Sequence, residues 1–233
     1  MNPLGLIAGS AYGHLLSEKD AKIEKVSSDF GEVSVWVSSS LVLLPRHGLE
    51  NNIPPHRINH KANMAAFKKL GISKIIGINS TGSLRKSLPL KSLVVPHDYI
   101  NPWDIETVFN NEIRHITPGL DQGLRALILR TARKMGIDVL QGGIYIQTTG
   151  PRLETRAEIE MLTSFGDMVG MTMANEATLA KELDLAYASL CSIDNFCHGI
   201  TEAPLREEEI ISAARQNVET VKKLIHAILE ELT

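Results

Sequence analysis

The sequence has little cysteine, few aromatic residues and no excess of positive charge. The cysteine count and the net charge each argue against particular classes of protein. Only two cysteines occur, Cys191 and Cys197, in a chain of 233 residues. A chain of this length buries a core without disulfides, so we expect reduced thiols and a cytoplasmic protein. A formal net charge of −3 offers no basic surface for nucleic acid or for an anionic membrane.

Segments that would identify other classes of protein are also missing. No apolar run approaches the roughly 20 residues that a membrane-spanning helix needs. The opening segment MNPLGLIAGSAYGHLL lacks the basic start of a signal peptide and is predicted to form a strand and a turn. Neither Cys-x-x-Cys nor His-Glu-x-x-His spacing occurs, so we expect no metal site. Because repeats and Pro/Gly-rich linkers are absent too, we interpret residues 1–233 as one domain.

What is present is an alternation of apolar strand-like segments with helical ones. Strands are predicted at LGLIAG, VSVWVSSSLVLLP, SKIIGIN, SLVVP, GGIYIQTT, DMVGMT and LAYASLCSI. Helices are predicted at INHKANMAAFKKLG, GLRALILRTARKMG, LETRAEIEMLTSFG and ANEATLAKEL, with one long terminal helix at REEEIISAARQNVETVKKLIHAILEEL. NSTGS, after SKIIGIN, is predicted to be a polar loop. This order predicts an α/β fold: a single domain with a mixed, largely parallel twisted sheet and helices on both faces.

Small or polar residues gather where six of the predicted strands end. These segments are 8–11, 45–47, 79–83, 148–154, 171–172 and 194–195. In open α/β sheets, ligands bind beyond the carboxyl ends of the strands. Each segment alone is as consistent with a turn, but the six together predict a pocket at this edge.

Three of these segments have side chains or backbone suited to an anion or a ring nitrogen. Gly-Ser at 9–10 and the segment 79–82 can present backbone N–H groups to an oxyanion, and Arg46 offers a planar fork of donors. Glu154 follows a predicted turn, and two roles are open for it. Its carboxylate either stabilises the first turn of a helix or accepts a proton from a ring N–H in the pocket.

Six strings, in this order, resemble the trimeric purine nucleoside phosphorylase family: LPRHG, NIPPHRINHKAN, NSTGSL, GPRLETRAEIE, VGMTMANEATLAKEL and YASLCSIDN. The likeness runs from about residue 4 to about residue 230 and is greatest to the branch acting on 5′-methylthioadenosine and 5′-methylthioinosine. It implies that phosphate attacks C1′ of a nucleoside and releases the base and a ribose 1-phosphate. It also implies a homotrimer in purine salvage, with phosphate as co-substrate and no metal or organic cofactor.

The resemblance assigns roles to individual residues. It places phosphate on Ser10, Arg46, His47, Ser80 and Thr172. It places the ribose on Met171, and the base among Thr81, Gly82, Leu153 and Glu154. His115 resembles a family residue that contributes to the 5′ pocket of the neighbouring subunit. The chain departs from the family pattern at Ala8, Ala11, Asn51 and the Ala-Asn sequence at 174–175, so a purine-binding protein without turnover stays open.

The family residue that binds N7 of the purine corresponds to Asn195, eight residues after Tyr187. Because successive side chains of a strand point to opposite faces, only one of Asp194 and Asn195 is expected to face the pocket. Asn195 can donate to N7 or to a 6-oxo group, and with Glu154 it favours 5′-methylthioinosine, inosine or guanosine. Asp194 in that place would favour the 6-aminopurine of 5′-methylthioadenosine. Otherwise Asp194 is expected to bind nearby loop N–H groups.

Two further choices stay open in the sequence. Ile200, Leu205 and Ile210 either line an apolar slot for a 5′-methylthio group or dock the terminal helix. A nucleosidase of similar fold would use water in place of phosphate, and water needs no anion pocket. The residues assigned to phosphate therefore favour a phosphorylase.

Overall fold

A computed structural model describes residues 3–9, 21–202, 204 and 206–232 of the chain. Ser10, Ala11 and Leu205 lie outside the described residues. The strands are β1 (Leu4–Ala8), β2 (Lys22–Ser28), β3 (Gly31–Val37), β4 (Leu41–Pro45), β5 (Lys74–Ser83), β6 (Leu93–Val95), β7 (Asp98–Ile100), β8 (Val139–Gln141), β9 (Ile144–Gln147), β10 (Met168–Gly170) and β11 (Ala186–Phe196). The helices are α1 (His60–Lys69), α2 (Gln122–Lys134), α3 (Arg156–Leu162), α4 (Met173–Glu182), α5 (Glu207–Gln216) and α6 (Val218–Leu232).

The described strands form one mixed sheet. Its main path is β2-β3-β4-β1-β5-β10-β9-β7; β11 pairs with β5 and β6, and β6 pairs with β8. Most pairs are parallel, including those of β1 with β4 and of β5 with β1 and β11. The pairs β2–β3, β3–β4, β5–β10 and β6–β11 are antiparallel. The predicted α/β fold with a largely parallel sheet is confirmed.

The central strands bury side chains on both faces. Ile75 of β5 lies in a core layer with Phe67 of α1 and Leu179 of α4. Its neighbour Ile76 lies in a second layer with Ile225 of α6 and with residues of α2. Since both faces are covered, these strands read as continuous apolar runs rather than as alternating ones.

Glycine ends two helices as the sequence predicts. Gly71 after α1 has φ +72° and Gly136 after α2 has φ +68°. This left-handed conformation is favourable for glycine because it has no Cβ. Both cysteines are buried and free, as expected. Within the described residues, no helix has both the length and the apolarity that crossing a membrane requires.

Several elements differ from the sequence prediction. VSVWVSSSLVLLP forms two antiparallel strands, β3 and β4, and the short strands β7 and β8 were not predicted. NSTGS is not a loop, because β5 continues to Ser83 through pairing with both β10 and β11. The terminal helix is two helices that meet at Asn217, a residue whose buried amide bonds outside the helix. The β2–β3 hairpin was not predicted because β2 is mostly exposed and polar and so lacks an apolar pattern.

We expect Glu231→Gln to lower the thermal midpoint at pH 7. Glu231 of α6 accepts hydrogen bonds from Arg130, Thr131 and Lys134 of α2 at 2.9–3.0 Å. These bonds lower the pKa of Glu231 from 4.5 to about 2. A lowered pKa stabilises the fold above the ordinary value, and this stabilisation is lost as the pH falls from about 4.5 to about 2.

Thermal melts at several pH values check this prediction. The difference between the wild-type and Glu231→Gln midpoints should shrink over that pH range. The control is Glu112→Gln, in an exposed loop, whose thermal midpoint should stay close to that of wild type at every pH. A difference that stays constant with pH would contradict the assignment.

Candidate active site

The carboxyl ends of the central strands lie side by side and leave an opening. The partners at this edge are Ala8 with Pro45 and Ile78, Ser80 with Ser192, and Gly82 with Asn195. β1 leaves the edge of β5 after Ala8, and β10 takes its side of β5 at Gly82. Between these pairings no described strand lies opposite residues 79–81 on that edge. The predicted site residues that the structure describes, apart from His115, lie on the strand ends and the turns around this opening.

Arg46, at the end of β4, is held in a buried ion pair. Its Nε donates to one carboxylate oxygen of Glu176, and its Nη2 donates to the other at 3.1 Å. Its Nη1 donates to the carbonyl of Ile78 at 2.8 Å. Burial alone would lower the pKa of Arg46, but the Glu176 carboxylate outweighs it and the pKa is raised.

The ion pair leaves part of the guanidinium available to an anion. Three of its five N–H groups are used, so one hydrogen on Nη1 and one on Nη2 have no partner in these bonds. A Cβ at Gly9 would lie 3.3 Å from Nη1 of Arg46, so the end of β1 approaches this side of the group closely. Because Glu176 neutralises Arg46, neutral donors must supply much of the binding of an anion here.

Thr172 supplies such a donor at the start of α4. Its Oγ1 accepts a hydrogen bond from Nδ2 of Asn79 at 2.9 Å, and Asn79 in turn accepts from Ser189 at 2.8 Å. The Thr172 hydroxyl hydrogen is therefore left to donate. The first N–H groups of α4 are already bonded to Tyr145 and to Gln147. At this helix end the hydroxyl, rather than the backbone, is the group open to an anion.

His47 and Ser80 complete the described part of the predicted anion set. Nδ1 of His47 lies 2.7 Å from the carbonyl of Ile53, so this nitrogen donates and Nε2 accepts in the neutral ring. Burial and the neighbouring Arg46 lower the pKa of His47, which favours the neutral form. His47 therefore fits a hydroxyl of a sugar or of a protonated phosphate better than a bare oxyanion. Ser80 is exposed in the second half of β5, and its hydroxyl is hydrogen-bonded to Asp194.

The other side of the opening is formed by Gly82, Asn195 and Cys197. A Cβ at Gly82 would lie 3.0 Å from Nδ2 of Asn195 and 2.6 Å from the Cys197 sulfur, so a side chain there would collide with both. Burial and the charge of Glu154 raise the pKa of the Cys197 thiol. Asn195 and Cys197 thus lie side by side at Gly82, and Glu154 is near enough for its charge to act on the thiol. Thr81 uses its hydroxyl hydrogen on the carbonyl of Ser192 and has none to offer a base.

The structure argues against one of the two roles open for Glu154, that of stabilising the first turn of α3. Helix α3 is capped by Thr155 and Glu158, whose side chains bond reciprocally to each other's backbone N–H. Glu154 precedes this cap and accepts from the Thr148 hydroxyl at 2.6 Å. It lines a cavity of about 310 Å³ together with Trp103 and Met161. Its carboxylate is therefore not the helix cap, and one oxygen remains open to a ligand N–H.

Three further predicted residues differ in their surroundings. Met171 lies against Gly150, where a Cβ would come within 2.5 Å of its sulfur. Leu153 is 42% exposed and so presents a free apolar surface. His115 is exposed in the segment 101–121, and no contact with the other site residues is seen among the described residues.

A β-bulge separates Asp194 from Asn195. Ile193 pairs with Thr81 and Asn195 with the next residue, Gly82, so Asp194 has no partner in the register. Regular alternation, from which we expected only one of the two residues to face the pocket, is therefore interrupted here by a bulge. Burial distinguishes them instead: Asp194 is 1% exposed, whereas Asn195 is half-buried.

The surroundings of Asp194 also differ from the prediction. Its Oδ1 accepts from the Ser192 hydroxyl at 2.6 Å rather than from loop N–H groups. Burial raises its pKa to about 6, although hydrogen bonds from Ser192 and Ser80 oppose the rise. The side chain is thus enclosed under the site rather than presented to it.

Sequence reasoning missed the buried groups that hold the site residues. Glu176 was noted only beside a departure from the family pattern, yet it pairs with Arg46 and accepts from Tyr187 at 2.6 Å. Tyr145 and Gln147 hold the start of α4 and were not singled out. The available signal was an acidic residue inside the apolar run of α4, because a buried carboxylate needs a partner.

Comparison with known proteins places this architecture in a family. The chain matches the model of the phosphorylase superfamily over residues 3–230. It is 39% identical to a probable 6-oxopurine nucleoside phosphorylase of Archaeoglobus fulgidus, over 98% of this chain and 96% of that one. It is 35% identical to a probable S-methyl-5′-thioinosine phosphorylase of Thermodesulfovibrio yellowstonii, over 98% and 91% of the two chains.

Two further similarities carry a different substrate name. An S-methyl-5′-thioadenosine phosphorylase of Saccharolobus solfataricus is 31% identical over 98% of this chain and 89% of its own length. Among solved structures, methylthioadenosine phosphorylase from Schistosoma mansoni in complex with adenine superposes with a TM-score of 0.89. That match covers 100% of this chain and 92% of the other at 23% identity, so it bears on the fold alone.

Proposed function

Since this chain belongs to the phosphorylase superfamily and is a purine nucleoside phosphorylase, we propose that its substrates are 6-oxopurine nucleosides, with 5′-methylthioinosine and inosine foremost. The observation that carries this proposal is that Asn195 lies beside Cys197 at Gly82 and that Glu154 is near enough for its charge to act on the same thiol. An amide can donate to N7 or to the 6-oxo group, and a carboxylate accepts from the protonated N1 of hypoxanthine. A 6-aminopurine has no proton on N1 and would meet the carboxylate unfavourably.

The reaction we propose needs an anion and a base held on either side of C1′. Phosphate is bound by the free N–H groups of Arg46 and the hydroxyl of Thr172 and attacks C1′ as the bond to the base breaks. The electron pair of that bond moves into the purine, and Asn195 stabilises the negative charge by donating to N7. The residues of the chain supply binding, orientation and hydrogen bonds, and the proposal needs no metal or organic cofactor.

The alternative substrate, 5′-methylthioadenosine, is favoured by the names of some relatives. It would require a protonated acid at N7, and Asp194 is the candidate by position. The burial of Asp194 and its bond to Ser192 speak against that role. We therefore keep the 6-aminopurine as an outcome of the test.

Base release from 5′-methylthioinosine, inosine and 5′-methylthioadenosine, each with and without phosphate, tests the proposal. We expect phosphate-dependent release of hypoxanthine from the first two. Preference for methylthioadenosine would overturn the 6-oxopurine assignment, and release without phosphate would indicate a nucleosidase. Binding without release would support a purine-binding protein without turnover.

Thr172→Val is expected to raise the KM for phosphate about tenfold with a smaller change in the KM for the nucleoside. Valine keeps the shape of threonine but removes the one hydroxyl donor, and a hydrogen bond to a charged group contributes about 1.5–3 kcal/mol. Steady-state kinetics with phosphate and nucleoside varied in turn measure both constants. Thr178→Val, in the same helix, is the matched control, and an equal rise in both constants would contradict a phosphate contact.

We extend the proposal to a cytosolic homotrimer in purine salvage, as the family resemblance implies. In such an assembly His115 would reach the 5′ side of a neighbouring site, which accords with its exposure. Static light scattering at several protein concentrations tests the assembly, because a trimer gives a mass three times that of the chain.

A further inference from the structure

A chain of hydrogen bonds runs from the junction of α5 and α6 to the bulge in β11. Nδ2 of Asn217 donates to the Ser192 hydroxyl at 2.8 Å, and that hydroxyl donates to Oδ1 of Asp194 at 2.6 Å. All three side chains are buried. This chain of hydrogen bonds ends at Asp194, the residue directly before Asn195.

The direction of these bonds is fixed by the groups that form them. An amide nitrogen only donates, so the Ser192 oxygen must accept from Asn217 and its single hydrogen must point to Asp194. The second hydrogen of the same nitrogen is used on the carbonyl of Lys91, at 3.1 Å. A change at Asn217 or Ser192 therefore leaves a buried partner unsatisfied.

The backbone next to the bulge is held by hydrogen bonds to Lys91 and Ser92. Lys91 N–H donates to the carbonyl of Ile193 at 2.7 Å, and Ile193 N–H donates to the carbonyl of Ser92 at 2.9 Å. The Asn217 side chain binds both the Lys91 carbonyl and the Ser192 hydroxyl. It therefore joins the helix junction to the segment 91–92 and to β11. A bulge leaves a residue outside the ladder, and these bonds hold Ile193, the residue directly before it.

We propose that Asn217, Ser192 and Asp194 are positioning residues for the reaction, which hold the bulge so that the Asn195 amide stays in place for the purine base. The proposal rests on the proposed function and concerns residues that do not themselves touch the substrate. On the anion side, Arg46 and Thr172 share no hydrogen bond with this network, whereas Ser80 bonds to Asp194. Loss of the bonds of Asn217 and Ser192 should therefore affect the base side of the site and leave the contacts of Arg46 and Thr172 with phosphate in place.

Ser192→Ala, Asn217→Ala and the double variant test the proposal, with Gln216→Ala as an exposed control at the same helix junction. We expect each single variant to lower kcat for inosine about tenfold, by displacing a donor to the developing charge. The KM for phosphate should stay within about twofold of wild type, because its donors are untouched. The kcat of the double variant should be no lower than that of the slower single variant, because both substitutions break the same chain of hydrogen bonds.

Asp194 is tested by a conservative pair. Asp194→Asn keeps an oxygen that accepts from Ser192, whereas Asp194→Ala removes it, so asparagine should rescue most of the kcat that alanine loses. Additive losses in the double variant, an equal rise in the KM for phosphate, or no rescue by asparagine would overturn the proposal.

Binding of hypoxanthine, measured by calorimetry, separates this proposal from the proposed function. If wild type binds hypoxanthine but releases no base from inosine, the proposed function fails. In that case weaker hypoxanthine binding in Ser192→Ala, with unchanged phosphate binding, still supports the positioning role, and unchanged hypoxanthine binding overturns it. Each variant is assayed well below its thermal midpoint, so that unfolding does not enter the rates.

Discussion

Asn195→Ala is expected to lower kcat/KM for inosine phosphorolysis about 10²–10³-fold, the size found when a single donor to a developing negative charge is removed. The Asn195 amide lies against Gly82, beside Cys197. Alanine leaves the bulge and the buried Asp194 in place but removes the donor to the base. Initial rates of hypoxanthine release at saturating phosphate measure the loss.

The matched control for Asn195 is His198→Ala. His198 is exposed just beyond the end of β11, so its loss should leave kcat/KM close to that of wild type. The fall in Asn195→Ala should lie mainly in kcat, because the negative charge on the base is present only in the transition state. A variant with wild-type kcat would show that another group stabilises the base.

Glu176→Ala is expected to lower the free energy of unfolding by about 3–5 kcal/mol, because it leaves a buried guanidinium without its carboxylate. Arg46 is 3% exposed and Glu176 is 1% exposed, so water does not replace the lost partner. Tyr187 loses its acceptor by the same change. Urea unfolding followed by tryptophan fluorescence and by circular dichroism gives the free energy.

A double variant separates the unpaired charge from the loss of packing. In Glu176→Leu combined with Arg46→Met no buried charge remains, and we expect a smaller loss of stability than in Glu176→Ala. The same double variant should lose phosphate-dependent turnover, because the guanidinium that we assign to phosphate is gone. If the double variant were the less stable of the two, packing rather than charge would dominate at this position.

The order of elements was well predicted from the sequence, because periodicity and helix-ending residues are local signals. Gly71 and Gly136 end their helices where predicted. Errors occurred where pairing outweighs the local pattern: residues 79–83 look like a loop but form strand between β10 and β11. Asn217 was read as part of one helix because its buried partners, Lys91 and Ser192, are distant in the sequence.

The same distinction holds for the candidate site. The α/β class, the strand ends of the candidate site and the family strings that include Arg46 and Asn195 could all be predicted from the amino-acid order. The groups that hold Arg46 could not, since Arg46 and Glu176 lie 130 residues apart and meet through the packing of α4 on the sheet. The bulge at Asp194 is likewise a property of the pairing of β11 with β5. A strand's own sequence specifies alternation, whereas the position where alternation breaks depends on its neighbours.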